Sequence, residues 1–157
     1  MKYHLCCGPQ KMPGYVNVDR VPFGQEIVAD IEKEWKWVKP GSAEEIYIKD
    51  GFEHLQNIEL FLERAWKALR EGGKLIIEVP HYKAASAYRI THRHFFSWST
   101  FNIYPEAHDK IKFKIVKNKL ILPGIPGLNW LANRSPKWWE KIFYAEGIHV
   151  EMIKEKK

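Results

Sequence analysis

The sequence lacks the features of a disulfide-stapled, disordered or membrane-spanning protein. Among its 157 residues there are only two cysteines, Cys6 and Cys7, and because they are adjacent they suit neither an ordinary structural disulfide nor a four-ligand zinc site. No apolar run approaches the roughly 20 residues of a membrane span, and residues 1–5 lack the apolar stretch of a signal peptide. Hydrophobic residues make up 45% of the sequence, which excludes a disordered chain. We therefore expect a folded cytoplasmic protein.

The length and the charge distribution predict one domain with two unlike regions. A chain of 157 residues fits a single domain, and we see no internal repeat. The net charge is +6, but residues 1–80 hold 11 Lys+Arg against 13 Asp+Glu, a net charge of −2, whereas residues 81–157 hold 14 against 6, a net charge of +8. If the excess is functional, the basic region faces an anionic partner.

The first region alternates short apolar runs with Gly, Pro and acidic breakers. These runs predict four strands at residues 2–7, 15–19, 27–30 and 43–48. Apolar residues then recur at spacings of three and four, which predicts a helix with Asn57 as its N-cap and Gly72-Gly73 at its end. Residues 74–80 predict a fifth strand whose nearly continuous apolar composition is typical of a strand covered on both faces. This order predicts an α/β fold.

The second region is less regular. Residues 81–109 are rich in histidine and aromatics and predict loops with one or two short helices. A helix is predicted from the cap Ser135 to Gly147, and a final strand over residues 148–153. Residues 111–122 begin as a strand pattern that residues 116–120 could turn into a hairpin. Lysines accompany this pattern and indicate either the solvated face of an edge strand or a contact surface for an anion such as nucleic acid; they are Lys110, Lys112, Lys114, Lys117 and Lys119.

Polar groups end the predicted parallel strands, where ligands of such sheets bind. A glycine lets a ligand approach the backbone, and a carboxylate after the second strand can accept hydrogen bonds from both hydroxyls of a ribose. A carboxylate one strand further out can accept from an adenine amino group. The strand ends are Cys7-Gly8, Asp19, Asp30 and Lys49-Asp50. They predict a nucleoside-binding edge.

Five segments of this half resemble the class I S-adenosylmethionine-dependent methyltransferases in order and spacing. The resemblance is greatest to a branch with a short leucine-x-cysteine-glycine first motif and a glycine-tyrosine-x-asparagine-x-aspartate second strand. It covers residues 3–80 and is carried by Leu5-Cys6-Cys7-Gly8, Pro13-Gly14-Tyr15-Val16-Asn17-Val18-Asp19, Ala29-Asp30-Ile31, residues 45–55 and residues 69–75. It implies a single-domain Rossmann-like methyltransferase fold, mostly parallel, with an antiparallel C-terminal strand.

The resemblance also implies S-adenosylmethionine as cofactor and a role for each strand end. The pair that ends strand one would lie under the methionine part, the acid that ends strand two would bind the ribose, and the pair after strand three would hold the adenine. The implied cofactor residues are Cys7, Gly8, Asp19, Arg20, Asp30, Ile31, Lys49 and Asp50. We expect residues 1–80 to form the cofactor half and residues 81–157 the substrate half.

Histidines are the candidates for the substrate side. Glu53-His54 would open a helix near the cofactor pocket, and His54 is either a general base or a capping residue. The resemblance implies that the segments after strand five shape the substrate pocket, with His81 as a second candidate base; they contribute His81, Tyr82, His92 and His94. Methyl transfer needs mainly alignment, so a base is not required. A metal interpretation is open for His81, His92 and His94, because two histidines at i and i+2 would project together from a strand and a third could complete a three-ligand site. No Cys or carboxylate lies near these three in the sequence, so we expect no metal site.

One departure from the family leaves an alternative open. Only residues 9–14 separate Gly8 from Tyr15, and a parallel crossover helix needs a dozen residues or more. The helix N-terminus that usually supports the cofactor would be missing. The alternative is a non-catalytic module of the same fold that binds nucleic acid or another anion. The sequence indicates neither the methyl acceptor nor the oligomeric state.

Overall fold

The computed structural model describes residues 1–103, 111–124 and 127–155. Its strands are β1 (Lys2–Leu5), β2 (Val16–Asp19), β3 (Ile27–Val28), β4 (Ala43–Lys49), β5 (Leu69–Pro80), β6 (Phe113–Ile121) and β7 (Gly147–Lys154). Its α-helices are α1 (Ile58–Ala68), α2 (Trp98–Ile103), α3 (Leu128–Ala132) and α4 (Pro136–Ile142), and two 3-10 helices span Phe52–His54 and Ala85–Tyr88. In the described part of the chain, no helix is long and apolar enough to cross a membrane.

All seven strands form one sheet in the order β3-β2-β1-β4-β5-β7-β6. The first five strands are parallel, and β7 runs antiparallel to both β5 and β6. This confirms the predicted α/β class, with a mostly parallel sheet that ends in an antiparallel C-terminal strand. The carboxyl ends of β1, β2, β3 and β4 therefore meet at one edge of the sheet.

A row of fully buried aliphatic side chains crosses the sheet in register. Val18 lies opposite Leu5, Leu5 opposite Ile48, Ile48 opposite Ile77, and Ile77 opposite Val150. All five side chains are inaccessible to solvent. Burying each contributes roughly 1.5–3 kcal/mol, and the row fixes the register of five strands at once.

The opposite face of the sheet carries polar and ion-paired side chains. On β5 the buried Leu75 and Ile77 alternate with partly exposed Lys74 and Glu78, so the expectation that this strand is covered on both faces is wrong. Instead, the Glu78 carboxylate accepts a hydrogen bond at 2.8 Å from Nδ1 of His149, which lies on the neighbouring strand β7. The charged side chains within this apolar-rich strand thus mark its partly solvated face, although the apolar composition of the strand suggested burial on both faces.

The connection between β1 and β2 contains no helix, as the sequence predicted. The buried Asn17 side chain holds this loop in place. Its Oδ1 accepts from the backbone N–H of Met12 at 2.8 Å, and its Nδ2 donates to the carbonyls of Met12 and Tyr15 at 3.3 and 3.1 Å. It also accepts from His4 Nδ1, at 3.1 Å. Side-chain hydrogen bonds therefore organise a parallel connection that a helix ordinarily makes.

The predicted N-cap of α1 is confirmed, since Asn57 Oδ1 accepts from the backbone N–H of Leu60 at 2.8 Å. The predicted helix end is wrong: α1 ends at Ala68, and Gly72 and Gly73 lie within β5. A Cβ on Gly73 would lie 3.0 Å from the Ala43 carbonyl oxygen, beside the register shift between β4 and β5. Gly73 permits this close backbone approach.

The C-terminal half differs from the prediction in two places. Residues 113–121 form the single strand β6, not a hairpin, with a register shift against β7 between Ile115 and Lys117. The last helix ends at Ile142, and Gly147 opens β7, where a Cβ would lie 3.1 Å from the Val79 carbonyl oxygen.

The lysine-rich strand β6 is an edge strand, as one of the two interpretations predicted. Lys112, Lys114 and Lys119 are exposed, whereas Lys117 donates to Glu151 at 2.7 Å. Lys110 lies outside the described residues. Exposed lysines on an edge strand oppose pairing with another sheet.

Candidate functional site

A cleft of about 840 Å³ opens at the carboxyl ends of the parallel strands. Its size lies within the range of small-molecule sites. Five of the eight predicted cofactor residues line it, namely Asp19, Arg20, Asp30, Ile31 and Asp50. They share it with residues that the cofactor prediction did not include, among them Cys6, Gly51, Leu55, Thr91 and Arg93. The structure thus brings together most of the side chains that the strand-end pattern selected.

Asp19 lies at the end of β2 and ties two backbone segments together. Its Oδ2 accepts from the backbone N–H of Gly8 at 2.9 Å, and its Oδ1 accepts from the backbone N–H of Val21 at 2.9 Å. Each carboxylate oxygen has two lone-pair sites, so both oxygens keep one for a ligand hydroxyl. Asp19 is partly exposed towards the cleft, and its orientation is fixed before any ligand binds.

The Asp30-Ile31 pair forms the neighbouring wall. Asp30 Oδ1 accepts from the backbone N–H of Glu32 at 2.9 Å, which fixes the carboxylate in a local turn. Ile31 is 5% exposed, and its carbonyl accepts from Trp35 Nε1 at 2.8 Å. An acceptor and an apolar surface therefore stand side by side, as a purine ring with an exocyclic amino group requires.

The floor of the cleft contains two strained backbone positions. Cys6 follows β1 with a φ of 54°, and Asp50 follows β4 with a φ of 49°, although neither is glycine. Non-glycine residues in the left-handed region cost about 1–3 kcal/mol and cluster at functional sites. Burial, together with the negative charges of Asp19 and Glu53, raises the pKa of the Cys6 thiol to about 12. Cys6 is therefore a neutral thiol at physiological pH and no nucleophile.

Three predicted cofactor residues do not line this cleft. Cys7 is buried, with its Sγ donating to the Gly8 carbonyl at 3.3 Å, so Cys6 and not its neighbour reaches the cavity. Gly8 contributes its backbone N–H to Asp19. Lys49 is half exposed and pairs with Glu78 at 3.8 Å. Two adjacent cysteines at a strand end cannot be assigned to opposite sides from sequence alone.

A second, smaller cleft of about 350 Å³ adjoins the first. It is lined by Lys49, Glu78 and Gly147 near the ends of β4, β5 and β7, and by Glu53 in the first 3-10 helix and Arg89 directly after the second. Asp50, His54 and His92 line both cavities. These three side chains therefore mark the junction where two ligands in adjacent clefts would meet.

Two of the predicted histidines stand at this junction with one carboxylate. The His54 and His92 rings lie edge to face, with their centroids 4.6 Å apart. His92 Nε2 lies 3.8 Å from Glu53 Oε1, and the side chains of both residues are at least 97% buried. Burial raises the pKa of Glu53 to about 7 and lowers the pKa of His92. Glu53 of the Glu53-His54 motif thus places a carboxyl group beside His92. From the sequence, no carboxylate was expected near His92, because the two residues are far apart in the sequence.

The segment after the second 3-10 helix is anchored to the first one. The carbonyl of Glu53 accepts from the backbone N–H of Arg93 at 2.9 Å, and His94 Nε2 donates to the Leu55 carbonyl at 2.8 Å. His94 therefore holds the segment in place, and it lines neither cleft. Residues 89–95 form no strand, so His92 and His94 do not project together from one.

His81 lies away from both clefts. It is inaccessible to solvent, and its Nε2 lies 3.5 Å from Glu140 Oε2. Glu140 also accepts from the backbone N–H of Trp98 at 2.7 Å and from Ser99 Oγ at 2.8 Å. The Tyr82 ring contacts the His81 ring at a tilt of 42°, with centroids 4.6 Å apart, and Tyr82 likewise does not line either cleft. These contacts join the end of β5 to α2 and α4 and give His81 a packing role.

No protein-family model and no curated protein sequence matches the chain. Solved structures do match it. An S-adenosylmethionine-dependent methyltransferase from Mesorhizobium loti aligns over 98% of this chain and 90% of its own length, with a TM-score of 0.65 and 13% identity. One from Archaeoglobus fulgidus aligns over 98% and 85%, with a TM-score of 0.62 and 14% identity.

A third match was solved in complex with the Haloferax volcanii Trm112 methyltransferase activator. It aligns over 99% of this chain and 82% of its own length, with a TM-score of 0.65 and 11% identity. At such identities the likeness concerns the fold, and it agrees with the strand order and with the resemblance found in the sequence. The chain has the fold of the class I S-adenosylmethionine-dependent methyltransferases.

Proposed function

We propose that this chain is a methyltransferase that binds S-adenosylmethionine in the larger cleft. The observation that carries the proposal is the pair of carboxylates, Asp19 and Asp30, which line one cavity of about 840 Å³ at the ends of neighbouring strands. Ligands of open α/β sheets bind outside the carboxyl ends of the strands, which supports a nucleoside site at this edge. The side chains present fit the ribose and adenine of such a ligand.

The nucleoside part of the cofactor finds suitable groups. Asp19 would accept from the ribose hydroxyls, with Arg20 beside it, and Asp30 would accept from the adenine amino group while Ile31 packs on the ring. Gly51, which has no side chain, lines the cleft together with Cys6 and Asp50. When bound, S-adenosylmethionine supplies an electrophilic methyl group on a sulfonium.

The shortened β1–β2 loop supports this site differently from a helix N-terminus. The Gly8 N–H, which a helix would aim at the ligand, here donates to Asp19 and fixes its carboxylate. Preorganisation of an acceptor lowers the entropy cost of binding. We therefore expect this chain to bind the cofactor despite lacking the helix.

The smaller cleft is the proposed site of the methyl acceptor. It meets the larger one at Asp50, His54 and His92, so the reacting atoms would align at that junction. Of the two candidate histidines, only His54 stands there, because His81 is buried against Glu140.

Calorimetry with S-adenosylmethionine and S-adenosylhomocysteine tests the proposal. We expect binding by the wild type and at least about a tenfold loss for Asp19→Ala, since a charge-assisted hydrogen bond contributes about 1.5–3 kcal/mol. Glu26→Gln is the matched control, because Glu26 also accepts a backbone N–H of β2, from Asn17 at 2.8 Å, but does not line the cleft. Absence of binding by the wild type at millimolar cofactor would refute the proposal.

We further propose that the acceptor or its carrier is anionic, with nucleic acid as one candidate. The support is a set of exposed lysines, Lys114 and Lys119 on the edge strand β6 and Lys112 directly before it. Binding of single-stranded RNA and of an unrelated polyanion should weaken steeply with salt, and less steeply after the lysines are replaced by glutamine. Unchanged salt dependence in that variant would assign the lysines to solubility alone. The neighbour solved with a protein activator makes a protein carrier the competing candidate.

A further inference from the structure

Three side chains at the junction of the two clefts form a constellation that methyl transfer does not require. Glu53, His54 and His92 each offer one ligand atom, and these atoms all lie within 4.8 Å of one another. They come from the 3-10 helix Phe52–His54 and from the anchored segment that follows Ala85–Tyr88. The set consists of two imidazoles and one carboxylate, a combination that binds divalent transition metals.

Both imidazoles are oriented by backbone carbonyls. His54 Nδ1 lies 3.0 Å from the Thr91 carbonyl oxygen, and His92 Nδ1 lies 3.0 Å from the Ala87 carbonyl oxygen. A carbonyl oxygen only accepts, so each Nδ1 carries the proton and each Nε2 of the neutral ring keeps its lone pair. An imidazole that donates one N–H to a carbonyl and turns its other nitrogen inward is typical of metal-ligating histidine.

One oxygen of the carboxylate between them lacks the partner that its burial demands. The Glu53 side chain is 2% exposed, and its Oε2 has no hydrogen-bond partner. Its Oε1 faces His92 Nε2 at 3.8 Å, too far for a hydrogen bond. A buried carboxylate oxygen without a hydrogen-bond partner, opposite a nitrogen lone pair, is unfavourable, whereas a cation between them would satisfy both groups. The partnerless oxygen is therefore a second observation, independent of the ligand spacing, that points to cation binding.

We propose that Glu53, His54 and His92 bind a divalent first-row transition metal ion, such as Zn²⁺ or Fe²⁺. Ligand atoms about 2.0–2.1 Å from a tetrahedral ion lie about 3.3 Å apart. The 3.8 Å separation of Glu53 Oε1 and His92 Nε2 would therefore shorten by about half an ångström, and the widest separation in the set, at most 4.8 Å, by up to about 1.5 Å. Imidazole nitrogens favour these ions over Mg²⁺ and Ca²⁺, which prefer oxygen.

Three protein ligands leave a coordination position open, as catalytic metal sites do. Asp50, His54 and His92 line both clefts, so the open position would face the place where the two clefts join. A hydroxyl of the methyl acceptor bound there would be polarised and lose its proton more readily. This last step rests on the proposed methyl transfer; the metal site itself does not.

Metal binding by the untagged, chelator-treated chain tests the site without any cofactor. We expect Zn²⁺, and Co²⁺ as its spectroscopic substitute, to bind one ion per chain and to raise the unfolding temperature. Glu53→Gln, which preserves side-chain volume, and His92→Ala should each lower the affinity by at least about 100-fold, beyond the 10–100-fold typical of the surrounding shell. Circular dichroism without metal establishes that both variants fold.

His94→Gln is the matched control. His94 anchors the same segment through the Leu55 carbonyl but contributes no ligand, so this variant should keep the metal affinity. Equal affinity in the wild type, Glu53→Gln and His92→Ala, or no binding by the wild type, would overturn the metal site. Because no cofactor is present, that result would leave the proposed cofactor binding intact. If the wild type binds the metal but not S-adenosylmethionine, only the proposed methyl transfer is refuted.

Discussion

A β-carbon on Gly51 would lie 2.7 Å from the Cβ and 2.9 Å from the Sγ of Cys6. The two residues follow β4 and β1, which are adjacent in the sheet, and both line the larger cleft. Gly51→Ala should therefore lower the free energy of unfolding by about 1–3 kcal/mol through overpacking and displace the cleft floor. Chemical denaturation and calorimetry with S-adenosylhomocysteine measure the two effects.

A double-mutant cycle isolates this contact. Cys6→Gly removes the Cβ and suits the left-handed backbone at position 6, so it should rescue much of the loss caused by Gly51→Ala. Gly24→Ala is the control at a glycine with open space and a positive φ of 76°, where only backbone strain contributes. Additive free energies for Cys6→Gly and Gly51→Ala would show that the clash relaxes in another way.

Asn17→Ala should destabilise the chain by about 3 kcal/mol. The side chain is buried and supplies hydrogen bonds to Met12, Tyr15, His4 and Glu26, and each partner left unpaired in the interior costs about 1–3 kcal/mol. Because this loop follows Gly8, cofactor affinity should fall as well. Thermal unfolding and calorimetry provide the measurements.

The control for that substitution is Asn102→Ala. Asn102 Nδ2 donates to the Trp98 carbonyl at 3.2 Å, but the side chain is exposed, so the change should remain within about 0.5 kcal/mol. If Asn17→Ala behaves like Asn102→Ala, the loop between β1 and β2 holds its shape without the side-chain bonds.

The strand ends were predictable because apolar runs and breakers are local signals. Asp19 and Asp30 were found in this way, since each directly follows such a run and parallel strands end on one edge. The choice between Cys6 and Cys7 was not predictable, because it depends on the left-handed turn at Cys6 and on the room that Gly51 leaves for the Cys6 side chain. A one-residue difference in turn geometry exchanges the side chain that faces the ligand.

The histidines show where local reading fails. His81 directly follows β5 and was expected at the substrate. It is instead buried in the core beside Glu140, which lies on α4 and is distant in the sequence. His92 and Glu53 are likewise brought together by long-range contacts, through the backbone bonds from Arg93 and His94 to the Glu53 carbonyl. Pairings between distant segments carry no sequence signal in a single chain.

The decrease in the free energy of unfolding at acidic pH should depend on Glu151. Its carboxylate accepts from Lys117 at 2.7 Å, and this hydrogen bond is the largest cause that lowers its pKa from 4.5 to about 2. A carboxyl with a lowered pKa contributes stability above its ordinary pKa, and that contribution is lost as the pH falls from about 4.5 to about 2. After allowance for solvent screening, we expect Glu151→Gln to remove about 1 kcal/mol of that pH dependence.

Urea unfolding at a series of pH values measures this effect. Glu34→Gln is the control, because its 3.5 Å pair with Lys36 is exposed and should contribute little. If the free energies of unfolding of the wild type and Glu151→Gln change in parallel between pH 5 and 2, the ion pairs of Glu151 make no net contribution to stability.

Stability and ligand affinity should respond in opposite ways at His81 and His54. His81 is fully buried between the end of β5 and α4, so His81→Ala should cost about 3 kcal/mol by leaving a cavity and removing a partner of Glu140. Cofactor affinity, measured well below the unfolding temperature, should remain unchanged because His81 lines neither cleft. His54 is only partly buried and stands at the junction, so His54→Ala should cost under about 1 kcal/mol in stability but weaken ligand or metal binding. The reverse pattern, a stable His81→Ala chain with impaired ligand binding, would return His81 to the substrate site and require the contact with Glu140 to open when the acceptor binds.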